Sequence, residues 1–183
     1  MATSPPRAGE CIGFDGVRVV TPGGVQLVTG LSFEIKPGGD SLLLVGHNGA
    51  GKSSIFRCLA GLWGVPAGRV TKPEDFTDAV FYIPQRAYNV LGTLQEQITY
   101  PSTTDAKALT RARLAEILAV VDLAHYIDAP GYLTDEVDWE NAISYGERQR
   151  LAIARLVYQR PRFAIKNLET FPHGAGQNEL KCH

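Results

Sequence analysis

No apolar run in this 183-residue sequence comes near the roughly 20 residues that a membrane-crossing helix requires. The first ten residues, MATSPPRAGE, lack the apolar core of a secretory signal. The three cysteines, Cys11, Cys58 and Cys182, fall at no spacing used by a metal site or a disulfide framework, so a reducing compartment is the default. A net charge of −1 argues against a general binder of nucleic acid or anionic membrane. There is no internal repeat. The hydrophobic share of 44% and charged share of 20% are ordinary for one globular domain with a sizeable core.

Residues 1–10 read as a disordered lead. Ile12–Ile35 reads as strands, because Val17, Val19 and Val20 are β-formers and Thr21-Pro22-Gly23-Gly24 marks a hairpin turn. Residues 31–35 alternate apolar and polar, as a half-buried strand does. Lys36-Pro37-Gly38-Gly39 is a second turn. Residues 42–45, Leu-Leu-Leu-Val, form a continuous apolar run, which predicts a strand buried on both faces. Beyond Gly51 the period becomes helical, with Ile55, Leu59 and Leu62 on one side until Gly64 and Pro66. Residues 79–83 predict another buried strand. Residues 104–123 predict a helix capped by Thr104 or Asp105, with Leu114, Ile117, Leu118 and Val121 on its buried face. Residues 147–159 predict a further helix closed by Pro161, and 163–165 the start of a strand. Residues 166–183 are polar and without a period.

Residues 46–53, GHNGAGKS, fit G-x-x-x-x-G-K-[ST] between a predicted strand and a predicted helix. Glycines let the backbone curl until several N–H groups face one anion, and the helix that follows directs its partial positive end to the same place. Lys52 is placed to reach the outer phosphates of a nucleotide, and the Ser53 hydroxyl to ligate Mg²⁺. The phosphate-binding set is Gly46, Asn48, Gly49, Ala50, Gly51, Lys52, Ser53 and Ser54. His47 reads as a solvated loop residue.

Two later stretches narrow the class: FYIPQRAYNVLGTL at 81–94 and ISYGERQRLAIARLVYQRPRFAI at 143–165. With GKSSIFRCLAGLW and TKPEDF, they make residues 11–165 resemble the ATP-binding cassette (ABC) ATPases. The phrases are most similar to the peroxisomal subfamily D half-transporters of fatty acids or their CoA esters. The resemblance implies an α/β P-loop fold with an N-terminal antiparallel β portion, a central mostly parallel sheet and a helical subdomain near 87–145. It implies ATP and Mg²⁺ as cofactors. Partners would be a second nucleotide-binding domain and a transmembrane domain, not nucleic acid, on the cytosolic face of the peroxisomal membrane; alone, the chain would be cytosolic. Gln85 matches the Q-loop glutamine, which helps hold Mg²⁺ and the attacking water. Ser144, Tyr145, Gly146, Glu147 and Gln149 match the signature stretch that meets the γ-phosphate held by a second subunit. Ser144-x-x-Glu147 reads equally as a helix capping box.

The pattern departs from the family in four places. Residues 18–21 offer no aromatic to stack on adenine. Tyr145 stands where the signature has its first glycine, which predicts a damaged trans site unless the ring swings outward. Lys166, Asn167 and Leu168 stand where the family continues with an apolar residue, Asp and Glu; Glu169 is one place too late for its strand face. The family's later strands and γ-phosphate histidine are not found before His183. These departures predict that the C-terminal part of the core is missing, with residues 166–183 as an unrelated tail and hydrolysis in doubt; the alternatives to a hydrolytic cassette are a fragment that binds nucleotide without hydrolysing it and a truncated product without function.

Overall fold

The structure, a computed structural model, describes residues 10–47, 49–102 and 105–167. Residues 1–9 of the expected lead 1–10, residues 168–183 of the expected tail 166–183, with Leu168, Glu169 and Cys182, and the residues Asn48 and Thr104 lie outside the described residues. Two compact units emerge. One contains Ile12–Ile35 and Ser41–Thr71, the other Lys36–Asp40 and Lys72–Asn167.

The first unit is built on an antiparallel sheet. β1 (Ile12–Val20) pairs with β2 (Gln26–Ile35) across the expected turn, where the Gly24 amide donates to the Thr21 carbonyl at 2.9 Å. The apolar side chains of β1, Ile12, Phe14, Val17 and Val19, are buried, and Phe14 stacks on Phe33 of β2 with ring centres 4.8 Å apart. β3 (Ala67–Thr71) flanks the other side of β1, giving the order β2-β1-β3. That third strand escaped the sequence reading because AGRVT is short and carries little alternation. Gly68 makes the close approach possible. Its φ is +85°, and a Cβ there would sit 2.6 Å from the Asp15 carbonyl oxygen.

Residues 42–45 correct the expectation of a buried strand. No regular element covers them, and Leu43 and Val45 are 67% and 81% exposed. An all-apolar run is buried only when ladders form on both of its edges and layers cover both faces. No ladder among the described residues includes this run.

α1 (Lys52–Leu59) is shorter than its period suggests. Ile55, Cys58 and Leu59 are buried, but Gly61 takes φ +77° and turns the chain, leaving Leu62 75% exposed.

The second unit holds α2 (Phe76–Ala79), β4 (Val80–Ile83), β5 (Leu91–Gly92), α3 (Leu94–Thr99), α4 (Arg111–Val120), β6 (Val137–Asp138), α5 (Trp139–Ala142), α6 (Tyr145–Gln159) and β7 (Phe163–Lys166). β4 and β7 pair in parallel, Val80 opposite Phe163 through Ile83 opposite Lys166. This pair is the parallel sheet among the described residues, with β5 and β6 a short antiparallel ribbon.

The core of this unit gathers Leu94, Ile98, Leu114, Ile117, Leu118, Trp139 and Leu151, all fully or almost fully buried. The Trp139 indole donates to the Gly92 carbonyl at 2.7 Å, so its one polar atom is satisfied in the core. The predicted face Leu114, Ile117, Leu118 and Val121 is indeed inside. The helix that carries it starts later than expected. Thr110, not Asp105, is its cap, accepting from the Arg113 amide at 3.3 Å, and residues 105–107 make a separate 3₁₀ turn.

Candidate functional site

The loop before α1 is curled rather than extended. Gly49 and Gly51 have φ of +85° and +91°, values that L side chains rarely adopt. Gly51 is also the N-cap of α1, and a Cβ on it would meet Leu27 Cβ at 3.1 Å and Val28 Cγ2 at 3.3 Å. The Ala50 amide donates to the His47 carbonyl at 3.1 Å, and the Lys52 ammonium donates back to the carbonyls of Gly46 and, at 2.9 Å, His47. The lysine therefore closes its own loop. Lys52 and Ser53 open α1, so their amides have no acceptor one turn earlier in the helix. Ser53 is exposed and Ser54 buried. Two forced left-handed glycines, first-turn amide donors and one ammonium form a donor set that suits a phosphate group.

In the second unit, β4 ends at Ile83, and Gln85 follows in an exposed loop. Ile83 and Ala87 pack with Ala152 of α6 in a small buried cluster. That cluster brings the loop against the start of α6. The Gln85 carbonyl accepts hydrogen bonds from the Tyr145 hydroxyl at 2.9 Å and from the Gln149 side-chain amide. Gln85 and Gln149 were matched from sequence as separate motifs; here they touch.

Ser144 caps α6, and Ser144-x-x-Glu147 is a full capping box. The Ser144 amide and hydroxyl donate to Glu147 Oε2 at 2.8 and 2.6 Å, and the Glu147 amide donates to Ser144 Oγ at 3.3 Å. These bonds from Ser144, reinforced by the Tyr126 hydroxyl and the charge of Arg150, hold the Glu147 carboxyl down at about 2. Tyr126 is pushed up in turn, by burial first and by its bond to Glu147 second.

Tyr145 starts α6, which begins two residues earlier than the expected 147. Its side chain is turned to the Gln85 loop and is 44% exposed, and Gly146 beside it meets nothing within 4 Å of a notional Cβ. A helical backbone accommodates tyrosine without strain.

At the end of β7, the Asn167 amide donates to the Ile83 carbonyl at 3.1 Å, which extends the parallel pairing by one step. Lys166 is exposed and Asn167 half-buried there.

Sequence reasoning missed a buried cation behind the loop that follows β4. Arg155 is buried on α6 and donates to the main-chain oxygens of Gln97 and Tyr88, the Gln97 side-chain oxygen at 2.8 Å and the Asn89 side-chain oxygen at 3.3 Å. Burial lowers its pKa to about 10, so it stays charged at neutral pH. An arginine in a polar-looking stretch gives no local sign that its acceptors lie 58 to 67 residues away. The Thr93-x-x-Glu96 box that caps α3 was missed too, although its spacing is legible.

One unit carries an antiparallel sheet and a glycine-rich curl that opens a helix, and the other carries the parallel β4–β7 pair, elements of a mixed α/β P-loop fold. The ABC transporter family model matches residues 28–166, and the chain belongs to that family. It is 44% identical over 158 residues to ABC transporter D family member 1 of Arabidopsis thaliana, covering 83% of this chain and 12% of that protein. It is 43% identical over 169 residues to ATP-binding cassette sub-family D member 3 of Mus musculus, covering 87% of this chain and 25% of that one. The chain thus spans a quarter or less of the length of these relatives. Among solved structures, a bacterial Atm1-family ABC exporter with ATP bound superposes with a TM-score of 0.71 at 25% identity, over 90% of this chain and 30% of that one. The cbiO1 protein of Clostridium perfringens, part of the ABC transporter complex cbiONQ, gives 0.64 at 18% identity over 85% and 64%, a likeness of fold alone. The chain is an ABC transporter nucleotide-binding domain, similar to subfamily D. Among the described residues no helix is long and apolar enough to cross a membrane.

Proposed function

We propose that this domain binds ATP with Mg²⁺ through residues 46–54 and serves a transporter that moves fatty acids or their CoA esters across the peroxisomal membrane. One observation carries the nucleotide reading: the Lys52 ammonium held on the Gly46 and His47 carbonyls, with left-handed Gly49 and Gly51 and the first-turn amides of α1 beside it. Phosphate contacts are assigned to Gly46, Asn48, Gly49, Ala50, Gly51, Lys52, Ser53 and Ser54. Lys52 would exchange two neutral carbonyl acceptors for an anion, a stronger charge-assisted bond. The Ser53 hydroxyl and the Gln85 side chain are the groups assigned to Mg²⁺, which when bound neutralises phosphate charge and polarises the terminal phosphoryl group. Ser144, Tyr145, Gly146, Glu147 and Gln149 are assigned to the γ-phosphate held by a second nucleotide-binding domain. A transmembrane domain and that second cassette are the partners. The substrate class and a place on the cytosolic face of the peroxisome rest on likeness to the subfamily D relatives. The domain limits, 11–165 with helices near 87–145 as a subdomain, belong to the same proposal.

A second reading is favoured by the end of β7. Lys166 and Asn167 occupy the step where a hydrolytic cassette presents an apolar residue and Asp. An amide has no charge with which to orient a Mg²⁺ shell, and Leu168 cannot act as a base. This reading is ATP binding without turnover.

Equilibrium titration with ATP·Mg²⁺ tests the first reading. The 183-residue chain binds, and Lys52→Ala weakens binding by roughly ten- to a hundredfold, the worth of one charged hydrogen bond. Absence of binding at millimolar nucleotide removes it. Steady-state turnover clearly above that of the Lys52→Ala chain removes the second reading.

A further inference from the structure

A chain of contacts links the loop after β4 to the first turns of α6. The Tyr145 hydroxyl and the Gln149 amide share the Gln85 carbonyl oxygen, and Gln149 Nε2 lies 3.3 Å from the tyrosine oxygen as well. Next along the loop, an Arg86 nitrogen is 3.8 Å from the Glu140 carboxylate, and Glu140 also binds Arg148 at 3.0 Å. The Arg148 guanidinium returns to the ring of Tyr145, 5.9 Å from its centre. Tyr145 is where these contacts meet. Its oxygen serves the loop and its ring serves the cation. A glycine at this position would make neither contact, so the link depends on the tyrosine side chain.

We infer that Tyr145 is a positioning residue for Gln85: its hydroxyl pins the Gln85 main chain to the first turn of α6. The loop that carries the glutamine and the helix end that carries Ser144 and Glu147 then move as one piece. A carbonyl oxygen has two lone pairs, so Gln149 adds to the tyrosine rather than replacing it. The geometric part stands without any assigned role for Gln85. Its consequence for Mg²⁺ rests on the proposed function.

Hydrogen exchange in the 183-residue chain without nucleotide reads the link directly. Tyr145→Phe keeps the ring and removes the oxygen. Amides of residues 85–88 should exchange about fivefold faster, the effect of one net hydrogen bond, and faster again in Tyr145→Phe/Gln149→Ala. Amides of residues 114–118, in the helical core, should keep the parental rate. Parental exchange at 85–88 in both variants overturns the inference, and so does a uniform rise across the unit. Should the double variant not fold, the single one decides, since it removes one atom from a half-exposed ring.

A second arm separates positioning from bulk structure. In Tyr145→Phe, the Mg²⁺ concentration for half-maximal ATP binding should rise several-fold, while the amides of residues 114–118 keep the parental exchange rate. An unchanged Mg²⁺ requirement overturns the positioning role. If the parent chain binds no ATP, the proposed function fails, and the exchange result still decides the link.

Discussion

Ser144 and Glu147 satisfy each other so fully that little of either is left over. The carboxylate takes the serine hydroxyl and amide, the Tyr126 hydroxyl, and the field of Arg150, with His125 Nε2 4.0 Å away. Its pKa falls from an ordinary 4.5 to about 2 on folding, with the Ser144 hydroxyl as the largest cause. A lowered carboxyl pKa gives stability that is complete above the unfolded value and is lost as pH drops through the folded one. The window here is therefore pH 4.5 down to about 2. Ser144→Ala removes the cap and should cost about 1 kcal/mol at neutral pH. It should also flatten the acid limb inside that window, where the parent loses stability steeply. Thermal unfolding across pH checks both. An acid limb of parental slope would show that another carboxylate governs it. For any trans nucleotide contact, the same box means that a γ-phosphate must displace Glu147 from the Ser144 hydroxyl.

Helix ends in this chain follow caps more closely than they follow apolar period. α4 begins after Thr110 and α6 after Ser144, in each case where a side-chain oxygen accepts from the third residue on. α1 stops where Gly61 turns left-handed, although Leu62 would continue its apolar face. The β1–β3 pair depends on a different local device. Gly68 holds a positive φ and has no room for a Cβ, which would meet main-chain atoms of residues 15 and 16. Alanine there meets main chain at 2.6 Å and cannot relieve it by rotating a side chain. Gly68→Ala should destabilise the antiparallel sheet by roughly 2 kcal/mol or more, through backbone strain and overpacking. Urea unfolding measures this, and a variant within about 0.5 kcal/mol of the parent would contradict the close approach.

Across the chain, the exposed run at 42–45 is the largest departure from the sequence reading. A four-residue apolar strand before a phosphate loop predicts burial, yet Leu43 and Val45 face solvent. Surface substitutions away from special features change stability by no more than about 0.5 kcal/mol, whereas uncovering a buried valine costs several times that. Val45→Ser should therefore be nearly neutral in the 183-residue chain, as judged by its denaturant midpoint. A loss near 2 kcal/mol would mean that the strand is covered in solution.

How much was legible from sequence varied with the range of the interaction. The hairpin at 21–24, the curl at 46–53, the α6 capping box and the buried face of α4 were all readable, because each is settled within a few residues by sterics, a missing Cβ or a cap. The expected roles of Gln85 and Tyr145 came from their local strings, but their contact came from folding. It joins residues 60 positions apart through packing of Ile83 and Ala87 on Ala152. Arg155 and β3 belong with that contact, since their partners are distant in the chain. Local geometry is encoded where the atoms are neighbours along the backbone. Burial, strand pairing and shared acceptors depend on which surfaces meet, and this is why the apolar run at 42–45 misled while the glycines just beyond it did not.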